Sequence, residues 1–527
     1  MKVVKKDNTK EPFNVQKVVI AVNKSAFRAL VKFTDEEIDF ICRFVQDEAR
    51  KMGKEEIEIS EMHNIVEGAL ERVNPKVAKS YRDYRNYKQD FVQMLDEVYK
   101  KSQSIMYIGD KENSNTDSAL VSTKRSLIFN QLNKELYKKF FLTTEELQAC
   151  RDGYIYIHDM SARRDTMNCC LFDVQSVLQG GFEMGNLWYN EPKTLDVAFD
   201  VIGDIVLSAA SQQYGGFTVP SADLILEPYA EKSYKYYIEK YKNIGLDEEK
   251  SKEIAIQDIQ RDFEQGFQGW EYKFNSVSSS RGDYPFITVT IGTGTGRFAK
   301  MASKTMLEVR KNGQGKKGHK KPVLFPKVVF LYDEKLHGEG GPLEDVFEAG
   351  IDCSSKTMYP DWLSLSGEGY IASMYKKYGK IVSPMGCRAF LSPWYEKGGM
   401  KPADENDVPV FVGRFNIGVV SLHLPMILAK AQQENKPFFD VLDYYLNLIR
   451  QLHLRTYDYL GEMRASTNPL AYCEGGFYGG HLGIHDKIKP ILKTATASFG
   501  ITALNELQQL YNKRSLVEDG EFAIRTL

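Results

Sequence analysis

The chain has 527 residues, 43% of them apolar and 27% charged, a composition that excludes a disordered, collagenous or coiled-coil chain. Its 69 basic and 71 acidic residues leave a net charge of −2, which gives no reason to expect a nucleic-acid or membrane partner. No run of about 20 apolar residues is long enough to cross a bilayer, and Met1-Lys2-Val3-Val4-Lys5-Lys6-Asp7 carries charge where a signal peptide needs apolar residues, so the expected compartment is the cytoplasm.

Residues 1–92 read as a small α+β module. Val3 and Val4 begin a strand, Asp7-Asn8-Thr9 turns the chain, and a second strand follows around Glu11-Pro12-Phe13. Asn14 caps a helix bearing Val18, Val22 and Ala26 on one face, and Thr34 caps a second with Ile38, Ile41, Val45 and Ala49. Ser60 is the expected cap of a third helix, and Asn74-Pro75 precedes a fourth carrying Ala78, Tyr81, Tyr84 and Tyr87. Ser, Asn, Asp and Gly then accumulate, so residues 93–119 are expected to form a linker.

From residue 120 onward, helical patterns at 126–141, 196–212, 246–267, 422–435 and 440–462 alternate with short apolar strands. The strands are expected at Tyr154–His158, Cys169–Val174, Phe286–Ile291, Val328–Leu331, Ala389–Leu391 and Asn416–Ser421. Such alternation in one long unit predicts an α/β fold over 120–527, with a barrel as its natural closure. The basic, glycine-rich run from Arg310 to Lys327 is read as a solvated loop, with phosphate binding as the alternative.

Three places could carry chemistry. Lys5, Lys6 and Lys17, with Asp7, would converge where the first hairpin meets a helix N-terminus, an arrangement suited to polyphosphate. Cys169 and Cys170 are adjacent in an apolar strand, where alternation sends only one thiol to each face. Cys387 sits at the tip of a tight turn made by Pro384 and Gly386, held out for access. Arg388 beside it would favour a thiolate, whereas hydrogen-atom transfer needs a thiol, and the residues leave that choice open. The chain has seven cysteines and no C-x-x-C pair, so free thiols are expected and no metal site within this chain.

Lys2–Tyr87, with its V-V-K-K-D opening, Phe13, Lys17 and closing Y-R-D-Y-R, resembles the ATP-cone, a regulatory nucleotide-binding module. The remainder resembles the anaerobic (class III) ribonucleoside triphosphate reductases. The segments that carry this are Gly153–Asp159, Asn168–Leu171, Gln213–Gly216, Pro285-Phe286, Phe325–Lys327, Met385–Arg388 and Asn416–Val420, in the family's order. The resemblance implies a ten-stranded α/β barrel with a finger loop near 383–391, and radical removal of the 2′-hydroxyl of NTPs. It implies that Cys387 takes the 3′ hydrogen of the ribose as a thiyl. Cys169, with Cys170 as the alternative thiol, returns a hydrogen to C2′, and Asn416 lines the position of formate, the final reductant in many members, with a small redoxin as the alternative. ATP and dATP are the implied effectors, a radical-SAM activase the implied partner, and a homodimer the implied assembly, with a specificity-effector site within 180–216.

Family members continue to a four-cysteine zinc site and a glycyl-radical loop of the R-V-x-G-Y kind, and neither is found in these residues. The expectation is that zinc and glycyl radical arrive with a missing or separate C-terminal polypeptide. The rivals are a catalytically inactive nucleotide-binding part of a split reductase, an acyl-transferring glycyl radical enzyme of the pyruvate formate-lyase type, and a nucleotide-sensing repressor. The Met-Gly-Cys-Arg loop and ATP-cone-like head argue against the acyl transferase, and the lack of zinc-ribbon cysteines against the repressor.

Overall fold

The structure is a computed structural model that describes residues 1–5, 8–29, 31–107, 120–276, 282–387 and 389–526. It divides into two compact units, Met1–Gln103 and Ser104–Leu527.

In the first unit, β1 (Lys2–Val4) is central, with β2 (Lys10–Pro12) antiparallel on one side and β3 (Glu56–Glu58) parallel on the other. Helices Val15–Arg28, Asp35–Lys51, Ile59–Val73 and Pro75–Tyr107 bury Val22, Ala26, Ile41, Val45, Val66, Ala69 and Ala78 in one cluster. Asn14 Oδ1 accepts from Gln16 N–H at 2.9 Å. Thr34 and Glu37 cap each other reciprocally. The third helix is capped by Glu58 with Glu61, not by Ser60, because the chain enters it directly from β3. Strand β3 escaped the sequence reading since Ile57 is its only apolar residue. Tyr84 is exposed. The fourth helix runs on to Tyr107, so the first part of the expected linker at 93–119 is helical, and 108–119 lie outside the described residues.

The second unit is built on a sheet of β4 (Ile155–Ile157), β5 (Cys170–Leu171), β8 (Phe217–Val219), β9 (Ile287–Ile291), β10 (Lys327–Tyr332), β11 (Asp361–Ser364), β12 (Arg414–His423) and β13 (Thr496–Thr502), while β6 (Phe182–Met184) and β7 (Leu187–Tyr189) form a separate hairpin. The order is β11-β10-β9-β8-β5-β12-β13, with β4 also on β12. Strands β11 through β5 are mutually parallel, β12 and β13 are parallel, and the two sets meet antiparallel at β5 and β12. Eight strands pair here among the described residues, against the ten expected.

Helices Leu195–Ala210, Ala222–Asn243, Glu248–Phe274 and Arg297–Asn312 cover one face of this sheet through a single apolar core that includes Cys170, Phe172, Phe217, Val289 and Phe330. Residues 315–322 of the basic run are exposed, as expected, but two details differ. Ala389–Leu391 is not a strand: Met385 N–H donates to Ala389 C=O at 2.9 Å, so these residues form the returning side of the loop. Arg310 is not part of a solvated loop. It is 1% exposed, its Nε lies 3.1 Å from Glu271, and its guanidinium donates to Val323 C=O at 2.7 Å. The glycine-rich turn Gly292–Gly296, between β9 and a helix N-terminus, has the form of an anion cradle, yet the chain fills it itself. Asp223 accepts from the N–H groups of Gly292 and Gly294 at 3.1 and 3.0 Å, and Glu227 accepts from Ala299 N–H at 3.3 Å.

Candidate active site

Alternation along β5 sorts its side chains. Cys170 and Phe172 enter the helix-covered core, while Cys169 and Leu171 face the other way and pack with Met385 and Leu391 of the 383–391 loop. The two neighbouring cysteines therefore occupy different environments. Cys170 is fully buried, and burial pushes its thiol up to about 12, which leaves it an inert core residue. Cys169 is a hydrogen-bond partner of Cys387, and this bond, with burial second, holds Cys169 firmly protonated.

Cys387 is exposed, in the turn at the loop tip. What brings that tip to the strand is a contact between two glycines. A Cβ on Gly386 would lie 2.6 Å from the Cα of Gly216, and a Cβ on Gly216 the same distance from the Cα of Gly386. Backbone therefore meets backbone, with no flexible side chain to yield. Gly216 N–H also donates to Cys169 Sγ at 3.2 Å, and a Cβ on Gly215 would stand 2.8 Å from that sulfur. Gln213-Tyr214-Gly215-Gly216 thus seats the loop and orients the strand thiol at once. Arg388 lies outside the described residues.

Asn416 is on β12 next to Cys169, its N–H donating to Cys169 C=O at 2.8 Å and its C=O accepting from Asn168 N–H at 2.9 Å. Its buried amide is fully engaged. Nδ2 donates to Ser498 at 2.7 Å and Thr496 at 3.3 Å, and Oδ1 accepts from Gly418 N–H at 2.6 Å and Asn168 Nδ2 at 3.4 Å. So saturated an amide fixes the strand beside the thiols. Among the described residues no group of three His, Cys, Asp or Glu side chains could hold a metal ion.

In the first unit, Lys5 and Lys17 do converge, and the group between them is Glu11, which pairs with both. The two lysines hold the Glu11 carboxyl below its usual range, Lys17 more than Lys5. Glu11 and Lys17 also line a groove of about 540 Å³ with Pro12, Phe13, Asn14, Val15 and Gln46, at the N-terminus of the helix Val15–Arg28. Lys6 and Asp7 lie outside the described residues. The sequence reading missed Glu11, Gly216 and Gly386 as site residues. The glycines were visible as a G-G pair and a turn, but their contact spans the fold.

Comparison with known proteins now bears on this geometry. Residues 112–527 match the family described as anaerobic ribonucleoside-triphosphate reductase, and residues 1–90 match the ATP cone domain. The anaerobic ribonucleoside-triphosphate reductase of Haemophilus influenzae is 30% identical over 98% of this chain and 72% of its own length. That of Escherichia coli is 28% identical over 95% of this chain and 68% of its own. A crystal structure of the anaerobic ribonucleotide reductase from Thermotoga maritima, with glycerol in its active site, superposes with a TM-score of 0.53 at 15% identity, covering 81% of this chain and 68% of that one, a likeness of fold. Carrying two thiols brought together by a loop against a parallel strand, and matching over most of its length, the chain belongs to the anaerobic ribonucleoside-triphosphate reductase family, with an ATP-cone at its head.

Proposed function

We propose that the second unit reduces ribonucleoside triphosphates to 2′-deoxyribonucleoside triphosphates by thiyl chemistry, and that the first unit binds ATP and dATP to regulate it. The observation that carries this reading is the meeting of Cys169 and Cys387 on the sheet face opposite the helix-packed core. A glycyl radical supplied with a C-terminal radical loop would provide the one-electron oxidation of Cys387. The exposed Cys387 sulfur takes the 3′ hydrogen atom of the ribose, which makes the 2′-hydroxyl a feasible leaving group, lost as water. Cys169, kept protonated by its surroundings, is the S–H that delivers hydrogen to C2′. Asn416 acts as a positioning residue, and Cys170 takes no part. Formate, oxidised to CO2, is the proposed final reductant and restores the Cys169 thiol, and Cys387 returns its hydrogen to C3′, which regenerates the thiyl. Rigid strands and a loop locked by glycine contacts suit reactions that need the reacting atoms about 3–3.5 Å apart.

Further parts of the reading are a radical-SAM activase, zinc and radical loop on a C-terminal polypeptide, and a homodimer. Leu187 and Trp188, 66% and 61% exposed on the β6–β7 hairpin within residues 180–216, suit a subunit contact there. We keep residues 1–92 as the ATP-cone and 120–527 as the reductase barrel.

The test is dNTP formation from each NTP under strict anaerobiosis, with activase, formate and a separately made radical-loop polypeptide. Turnover is expected, and its absence in the presence of a glycyl-radical EPR signal would sink the reading. For regulation, calorimetry on Met1–Gln103, which has its own core, should register heat with ATP and with dATP. A folded fragment that gives none with either removes the effector role.

A further inference from the structure

Gly216 is not the only surface on which the tip of the 383–391 loop rests. A Cβ on Gly386 would lie 3.4 Å from Phe286 Cδ1, so the ring of Phe286 also stands against the loop, beside the Gly216 backbone. The two surfaces are tied together. Phe286 C=O accepts from the N–H of Phe217, the residue after Gly216, at 2.9 Å.

The segment Phe325–Lys327 grips the same ring. Phe325 is fully buried and meets Phe286 edge to face, with ring centroids 5.2 Å apart and planes at 60°. Lys327 Nζ lies 4.3 Å from the centre of the Phe286 ring, where the negative face of the ring attracts a cation. That segment is fixed in turn by buried polar groups. Arg310 donates to the C=O groups of Val323 and Pro326, and Asn275 Oδ1 accepts from the N–H groups of Leu324 and Phe325 at 3.2 and 3.0 Å. A buried ion pair such as Arg310 with Glu271 adds little net stability over apolar residues of the same volume. Here it anchors the backbone that carries Phe325 and Lys327, and so reaches the loop through Phe286.

We propose that Phe286 is a positioning residue: its ring, held by Phe325 and Lys327, fixes Gly386 and through it the approach of Cys387 to Cys169. The inference rests on the proposed reaction for the importance of that approach, while its test needs neither substrate nor radical.

The experiment is oxidation of the Cys169–Cys387 pair by diamide in the full chain, followed by peptide mass spectrometry. Each thiol gives up one hydrogen, a sulfur–sulfur bond forms, and the N=N bond of diamide takes both hydrogens to become a hydrazine. The unaltered protein should close readily. Phe286→Leu keeps an apolar side chain but loses the flat ring, and should close about tenfold more slowly or worse, since the bond needs both sulfurs aligned. Lys327→Met should close about threefold more slowly, and Lys327→Arg, which returns a cation to the ring, at nearly the unaltered rate. Cys170, buried in the main core, should resist iodoacetamide in all four proteins, which shows that each is folded. Closure at the unaltered rate in Phe286→Leu with Cys170 still protected overturns the assignment. Should that variant lose its core, the same result in Lys327→Met overturns it. Closure that depends on Phe286 in a protein that makes no dNTP removes the reaction alone, whereas dNTP formation with closure indifferent to Phe286 removes the positioning role alone.

Discussion

Cys387→Ala is expected to abolish dNTP formation while leaving the melting temperature of the protein where it was. Cys387 is exposed on a turn and belongs to none of the core clusters, so its removal costs little beyond its hydrogen bond with Cys169, about 1 kcal/mol, which hardly moves the melting of a unit this large. Cys169→Ala is expected to abolish activity too, but at a visible structural cost. Its sulfur accepts the buried Gly216 N–H, and leaving that donor unsatisfied costs about 1–3 kcal/mol. The pair of variants therefore separates chemistry from structure, and Cys170→Ala completes the set. That variant loses packing in the main core and melts early, yet keeps its turnover at permissive temperature. The measurements are dNTP yield per glycyl radical and thermal melting of each protein. Turnover by Cys387→Ala, or loss of turnover in a folded Cys170→Ala, would show that the thiols have been assigned to the wrong roles.

The second large effect is expected from a methyl group added where the loop meets the strand. In Gly386→Ala the new carbon would stand 2.6 Å from the Gly216 Cα, well inside van der Waals contact, and the obstacle is backbone. The loop tip must retreat, carrying Cys387 away from Cys169. A displacement near 1 Å costs about a hundredfold in rate when reacting atoms must be aligned. The core is untouched, so stability should fall far less than activity does. Gly216→Ala meets three backbone atoms of Gly386 and also disturbs the N–H that holds Cys169, so it should be at least as damaging. Near-normal turnover in both variants would mean that the loop is not seated by this contact during the reaction.

Much of this site was legible in the residues because local rules govern it. Alternation alone assigned Cys169 and Cys170 to opposite faces, and a proline and a glycine around Met385 marked the turn that carries Cys387. Asn14 and Thr34 declared their helices because a cap acts within three residues of itself. What escaped depends on partners distant in sequence. Strands β8, β11 and β13 are three, four and seven residues long, and they exist as strands through their neighbours. Ala389–Leu391 has a strand's composition, but Leu391 packs with Cys169 and joins no ladder. Arg310 looked like one cation among many in a basic stretch, and only the position of Glu271 on another helix explains its burial. Gly216 and Gly386 are 170 residues apart in the sequence (386 − 216), so nothing local distinguishes them from ordinary turn glycines.

The Glu11 carboxylate has a consequence for how the first unit would gauge a nucleotide pool. A phosphate that reaches Lys5 and Lys17 must first take them from Glu11, which already holds both. If the proposed effector does bind at these lysines, the protein carries its own competitor for it, tethered beside both. Such a competitor shifts the half-saturation point upward without altering the shape of the site. Exposed pairs of this kind are individually weak, so such a sensor would fill at a nucleotide level only about several-fold higher than one lacking Glu11.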